Sequence, residues 1–132
     1  MSFHFSKRSL DNLATCHPVL QKLAHAALAT SPIDFIIIEG HRDKVKQDEA
    51  FRKGASKLRW PKSKHNAVPY SLAFDAIPYP VDWNNLEAFR TLGAHMKATW
   101  DLMPDEDKEG FRLEWGGDWA RFVDFPHYQI VK

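Results

Sequence analysis

Apolar and polar positions divide this chain into short elements joined by turn residues. Within a helical stretch spanning 9–30, Leu20, Leu23, Ala27 and Leu28 recur at i, i+3, i+7 and i+8, a single apolar stripe. Ser9 is a candidate N-cap, and Pro18 fits the first turn of a second helical piece that ends at Ser31-Pro32. Asp34 to Glu39 is a short β-branched run that predicts a buried strand. Gly40-His41-Arg42 follows, and Asp43 is placed to cap a helix running to about Lys53, with Gly54 just past its end. Residues 55–70 carry no period. From Ser71 the pattern alternates, with Leu72, Phe74 and Ala76 on one side and Ala73 and Asp75 on the other, until Pro78 and Pro80 stop it.

Asp82 is a candidate cap for a long helix in which Leu86, Phe89, Gly93, Met96 and Trp100 recur at three- and four-residue steps. Pro104 to Gly110 reads as an acidic surface loop. Phe111 to Trp115 alternates as a strand and leads into Gly116-Gly117, where the backbone turns tightly or passes close to something. A last strand opens at His127, because Pro126 disfavours helix at Phe125. In it His127, Gln129 and Val131 share one face, and Tyr128 and Ile130 the other. The reading is an α+β fold, with helices packed on a small, mostly antiparallel sheet, and one domain over 1–132.

Composition narrows the function. The 44% hydrophobic content is that of a folded chain with a real core. Lys plus Arg (18) nearly balances Asp plus Glu (17), which argues against a nucleic-acid partner. Cys16 is the single cysteine, so neither an intrachain disulfide nor a thiolate metal cluster can form. The first residues hold no apolar signal region and no run approaches membrane-spanning length, so synthesis in the cytosol without a membrane anchor is expected.

The candidate chemistry is carried by five residues. A catalytic zinc site takes three ligands of the His, Asp or Glu type and leaves a fourth position open. His65 in a loop, Asp75 on a strand and His127 at the head of the last strand are of the right types, provided the fold assembles them. Asp124, three residues before His127, is positioned as general base toward water made acidic by zinc, whose pKa falls to about 7. Arg42, at the end of a buried strand, is a candidate cation for a developing oxyanion or a substrate carboxylate.

Ser63-Lys64-His65, Ala73-Phe74-Asp75 and Asp124-Phe125-Pro126-His127 together resemble the zinc D-Ala-D-Ala peptidase family. That family includes resistance-type dipeptidases, carboxypeptidases and the L-alanyl-D-glutamate endopeptidases of phage endolysins. The resemblance runs over nearly the whole chain. Gly40-His41-Arg42 fits the family's arginine region, and Val81 to Phe89 resembles the segment that follows the Asp ligand in phage members. It implies His65, Asp75 and His127 as zinc ligands, Asp124 as general base, Arg42 at the substrate, and the small fold shared with the hedgehog signalling domain. One spacing departs: the family keeps its His and Asp ligands seven apart, and His65 and Asp75 are ten apart. The simplest account is a three-residue loop insertion containing Pro69. Asp in place of Glu as the base resembles the phage endopeptidases.

The expectation is therefore a zinc endopeptidase of bacterial peptidoglycan stem peptides, monomeric, held in the host cytoplasm and released to the wall as an endolysin. The rivals are a D-alanyl-D-alanine carboxypeptidase, a non-catalytic zinc-stabilised wall-binding module, and a metal nuclease using His65-Asn66. His4, His17, His25 and His95 read as surface or satisfied core residues, and Trp115 and Trp119 as packing. Lys57 to Lys64 reads as a solvated loop, or as a patch attracted to an anionic wall polymer.

Overall fold

Strand edges and helix caps explain how these elements assemble. The structure is a computed structural model describing residues 3–132. The chain runs α1 (Lys7–Ala14), α2 (Pro18–Thr30), β1 (Phe35–Glu39), α3 (Lys44–Arg52), β2 (Ala73–Pro78), α4 (Leu86–Leu102), α5 (Asp105–Lys108), β3 (Arg112–Trp115) and β4 (His127–Val131). The four strands form one antiparallel sheet in the order β1-β2-β4-β3. Among the described residues, no helix is long and apolar enough to cross a membrane.

Alternation along the strands separates two faces. Phe35, Ile37, Phe74, Ala76, Tyr128 and Ile130 point to one side. There they join Val19, Leu20, Leu23 and Ala27 of α2 with Leu92, Met96 and Trp100 of α4 in the core. Asp75, His127, Gln129 and Glu114 take the other side by the period of two, and Glu39 joins them because a bulge between Ile37 and Glu39 shifts its register onto Asp75. Cys16 lies in the core, where burial pushes its thiol up to about 12, so it packs as a small apolar residue.

Several local expectations move once packing is included. Ser6, not Ser9, caps α1 by accepting from the Ser9 N–H at 3.2 Å. Ser9 is buried, and its hydroxyl accepts from the Ile37 N–H at 3.1 Å, while the Asn12 amide donates to the Ile37 carbonyl at 2.8 Å. Both free backbone groups of an edge residue are thereby satisfied, and β1 is shielded from pairing with another chain. α4 starts at Leu86 with Asn85 as its cap, and Asp82 instead closes a turn onto the Asn84 N–H. The acidic loop contains the single turn α5. Asp43 caps α3, and Gly54 follows it at a φ of 79°, both as expected.

Candidate metal centre and cleft

The β2–β4 register sets Asp75 directly opposite His127, and the β1–β2 register sets it opposite Glu39. His65 comes from outside the sheet. Its short 3₁₀ turn, Lys64–Asn66, is held by a reciprocal cap in which the Ser63 hydroxyl accepts from the His65 N–H and the Asn66 side chain accepts from the Ser63 N–H. The Asn66 amide also donates to the Arg42 carbonyl at 2.9 Å. Asn66 is therefore occupied in holding the turn, away from the role a nuclease reading would give it.

The ten-residue spacing is absorbed on the surface. Val68 is 78% exposed, and the Leu72 N–H returns to the Lys64 carbonyl at 3.0 Å, so the segment between them bulges outward while its ends are held together. His65 Nε2 consequently lies 3.2 Å from Asp75 Oδ1 and 3.2 Å from His127 Nδ1, and His127 Nδ1 lies 3.4 Å from the same carboxylate oxygen. One donor atom from each of the three residues lies within 4.8 Å of the others.

These atoms fit a cation on chemical grounds. His65 Nδ1 is 2.8 Å from the Gly40 carbonyl, which only accepts, so a proton sits on Nδ1, and in the neutral ring the Nε2 lone pair faces the carboxylate. Two acceptors at 3.2 Å repel unless a positive charge lies between them. Gly40 is required there: a Cβ at that position would collide with Thr15 Oγ1 and the Asn12 carbonyl, so no other residue brings its carbonyl to this point. Two imidazole nitrogens and one carboxylate oxygen are a donor set that zinc accepts.

Electrostatics without metal reflect the same crowding. Burial would raise Asp75, but the charges and hydrogen bonds of His65 and His127 hold its carboxyl far below the usual range. Burial would lower His127, yet Asp75 and the hydrogen bond to Gln129 hold it above its ordinary value. Asp124 behaves differently. Burial, and then the charge of Asp75, raise its carboxyl, only partly offset by His127, His65 and Arg42. A carboxylate of raised affinity for protons beside a candidate metal centre is suited to proton transfer.

Arg42 also reaches the cleft, with most of its donors engaged. Its Nε donates to Glu39 at 2.8 Å and one terminal nitrogen to Gln47 at 2.9 Å, while the other lies 3.7 Å from Asp75 Oδ2. The cleft has a volume of about 580 Å³ and is lined by Arg42, His65, Asp75, Asp124 and His127 together with Lys57, Trp83, Phe122 and Trp119. Trp119 lies against the His127 ring, with centroids 5.2 Å apart.

A model of the phage L-alanyl-D-glutamate peptidase family matches residues 1–129. The chain belongs to that family. It is 39% identical to the L-alanyl-D-glutamate peptidase of Escherichia phage T5, over 100% of this chain and 92% of the relative. It is also 33% identical to the peptidoglycan L-alanyl-D-glutamate endopeptidase CwlK of Bacillus subtilis, over 87% of this chain and 73% of the relative. Among solved structures, the Serratia marcescens L-Ala D-Glu endopeptidase ChiX superposes with a TM-score of 0.78 at 28% identity. That match covers 98% of this chain and 91% of ChiX.

Two features of this family member escaped sequence reasoning. Gln47 is fully buried in α3, accepts from Arg42, and donates to Ser56 Oγ and the Leu58 carbonyl, tying the helix to the cleft rim. Nothing distinguishes it in sequence from a solvent-facing helix glutamine. Gly116 was legible only as a tight spot. Its carbonyl accepts from the Asp124 N–H at 2.9 Å, and a Cβ there would collide with the Asp124 backbone. The glycine is needed for close approach, and the loop it clasps carries Asp124. Gly116→Ala should lower kcat about 10²-fold by displacing that carboxylate, and stability by about 1–3 kcal/mol. Steady-state kinetics and thermal unfolding check both.

Proposed function

We propose that this protein is a zinc-dependent L-alanyl-D-glutamate endopeptidase that cuts bacterial peptidoglycan stem peptides and serves as a phage endolysin. The observation that carries this reading is the convergence of His65 Nε2, Asp75 Oδ1 and His127 Nδ1 within 4.8 Å in the cleft that Asp124 also lines. Family membership and the names of the T5, Bacillus and Serratia relatives support the bond and the polymer.

Zinc held by these three residues supplies Lewis acidity toward the scissile carbonyl and toward water. Asp124 takes the proton of the attacking water and returns it to the leaving amine, a cycle suited to a carboxyl whose proton affinity burial has raised. Arg42, anchored on Glu39 and Gln47, keeps a cation against the outer oxygen of Asp75 and adds positive potential where charge develops. The aromatic wall of Trp83, Phe122 and Trp119 limits water around the bound peptide.

The test is mass spectrometry of products from purified Gram-negative peptidoglycan, with and without a chelator. New N-terminal D-Glu, abolished by chelation and restored by zinc, is the expected result. Release of single D-Ala residues would make the enzyme a carboxypeptidase. No cleavage by folded, zinc-loaded protein would leave a binding module.

A further inference from the structure

His65 is oriented by a backbone carbonyl, whereas His127 is oriented only by side chains. Its Nε2 lies 2.8 Å from Gln129 Oε1, the Gln129 amide nitrogen lies 2.7 Å from Glu114 Oε1, and Arg112 donates to Glu114 Oε2 at 3.3 Å. Sheet register makes this row possible. Glu114 pairs with Gln129 across β3–β4, and i, i+2 steps put His127 and Gln129, and Arg112 and Glu114, on the same face.

The row has a direction, and Glu114 sets it. A carboxylate only accepts, so the end of Gln129 facing it must be the NH₂. The amide is then turned with its oxygen toward His127, and an oxygen accepts only from a protonated Nε2. A neutral His127 with its proton on Nε2 has its bare lone pair on Nδ1, the atom that faces His65 Nε2 and Asp75 Oδ1. A carboxylate two hydrogen bonds removed from the ligand thus decides which nitrogen of that ligand is free. Metal-binding histidines generally depend on such outer partners for tautomer and ring orientation.

We propose that Gln129 and Glu114 are positioning residues for the metal centre, a polarised relay that holds His127 in the tautomer presenting Nδ1 to the cation. The proposal rests on the reading of His127 as a metal ligand, and its test reads zinc binding and tautomer instead of turnover. Zinc affinity is measured by competition with a chromogenic chelator, and the tautomer by long-range ¹H–¹⁵N NMR of the histidine rings, with thermal unfolding of the metal-free protein as the control.

Gln129→Met keeps the side-chain length and removes both hydrogen bonds. It should weaken zinc binding about 10- to 100-fold, with metal-free unfolding nearly unchanged and the His127 ring no longer confined to the Nε2-protonated form. Glu114→Gln leaves a group that either donates or accepts, so the direction is lost; zinc binding should weaken several-fold and both tautomers should appear. The exchange Gln129→Glu/Glu114→Gln rebuilds the row with a carboxylate accepting from His127 and an amide donating to it, and should return zinc affinity to within several-fold of the parent. Parent-like zinc affinity in folded Gln129→Met would overturn the relay. So would an exchange variant as weak as Gln129→Met, since the loss would then reflect packing. If Gln129→Met does not fold, Glu114→Gln and the exchange carry the same decision. A parent protein that binds no zinc would instead overturn the metal centre itself.

Discussion

Asp124→Ala should lower kcat on the order of 10²- to 10⁴-fold, the range for loss of a general acid–base group, while bound zinc stays stoichiometric. The two halves of this result belong together. Asp124 is outside the His65, Asp75 and His127 donor cluster, so removing it should spare metal affinity. Its carboxyl is raised by burial and by the charge of Asp75, so proton transfer is the chemistry its surroundings favour. Asp124→Asn keeps the size and removes the basicity, and should lose nearly as much activity with little change in KM. Kinetics on a defined stem peptide, combined with metal analysis of the same preparation, checks both. Zinc lost along with activity would make Asp124 a ligand, and a small activity loss with zinc retained would place the base elsewhere.

Asp75→Asn should act on the metal. Asp75 Oδ1 lies between the two histidines and Oδ2 faces Arg42, so the charge it supplies is shared by His65, His127 and Arg42. Zinc affinity should fall by more than the roughly 10- to 100-fold typical of an outer partner, and activity at limiting zinc should fall with it.

The metal-free protein carries a pH signature of the same residues. Asp75 is lowered in the folded state, so its contribution to stability is present above the ordinary value of 3.8 and is lost as pH falls. His127 is raised, so its contribution is present below 6.5 and is lost as pH rises through its folded value. Thermal unfolding in chelator should therefore show the cluster's largest contribution between about pH 4 and 6.5. Asp75→Asn should flatten that profile. A parent profile without this maximum would mean that the histidines and Asp75 do not interact as the distances imply.

Much of this site was legible before any coordinates. His65, Asp75, Asp124 and His127 stood out because residue type and order along the chain reflect chemistry that is local to each motif. The longer His65 to Asp75 spacing leaves the alternation through Phe74 and Ala76 unbroken, because the strand begins only at Ala73. The α+β class followed from periods of 3.6 and 2 in successive stretches, and the Asp43 cap and Gly54 terminus from backbone preferences of single residues.

Other features depended on groups far apart in sequence. Ser9 has the chemistry of a cap, but its hydroxyl serves the Ile37 N–H because β1 is an edge strand lying against α1. Asp82 and Asn85 are both capable caps, and the helix starts at Leu86 with Asn85 accepting from the Ala88 N–H while Asp82 accepts from the Asn84 N–H. Gly116 is a glycine because the loop bearing Asp124 folds onto it, a contact that its neighbours in sequence do not announce. The polarity of the His127 ring depends on Glu114, brought within reach of Gln129 only by the β3–β4 register. Local pattern determined which residues could do chemistry and in what backbone conformation. Strand pairing and close packing determined which atoms of those residues face one another, because that depends on distances between segments that no local preference encodes.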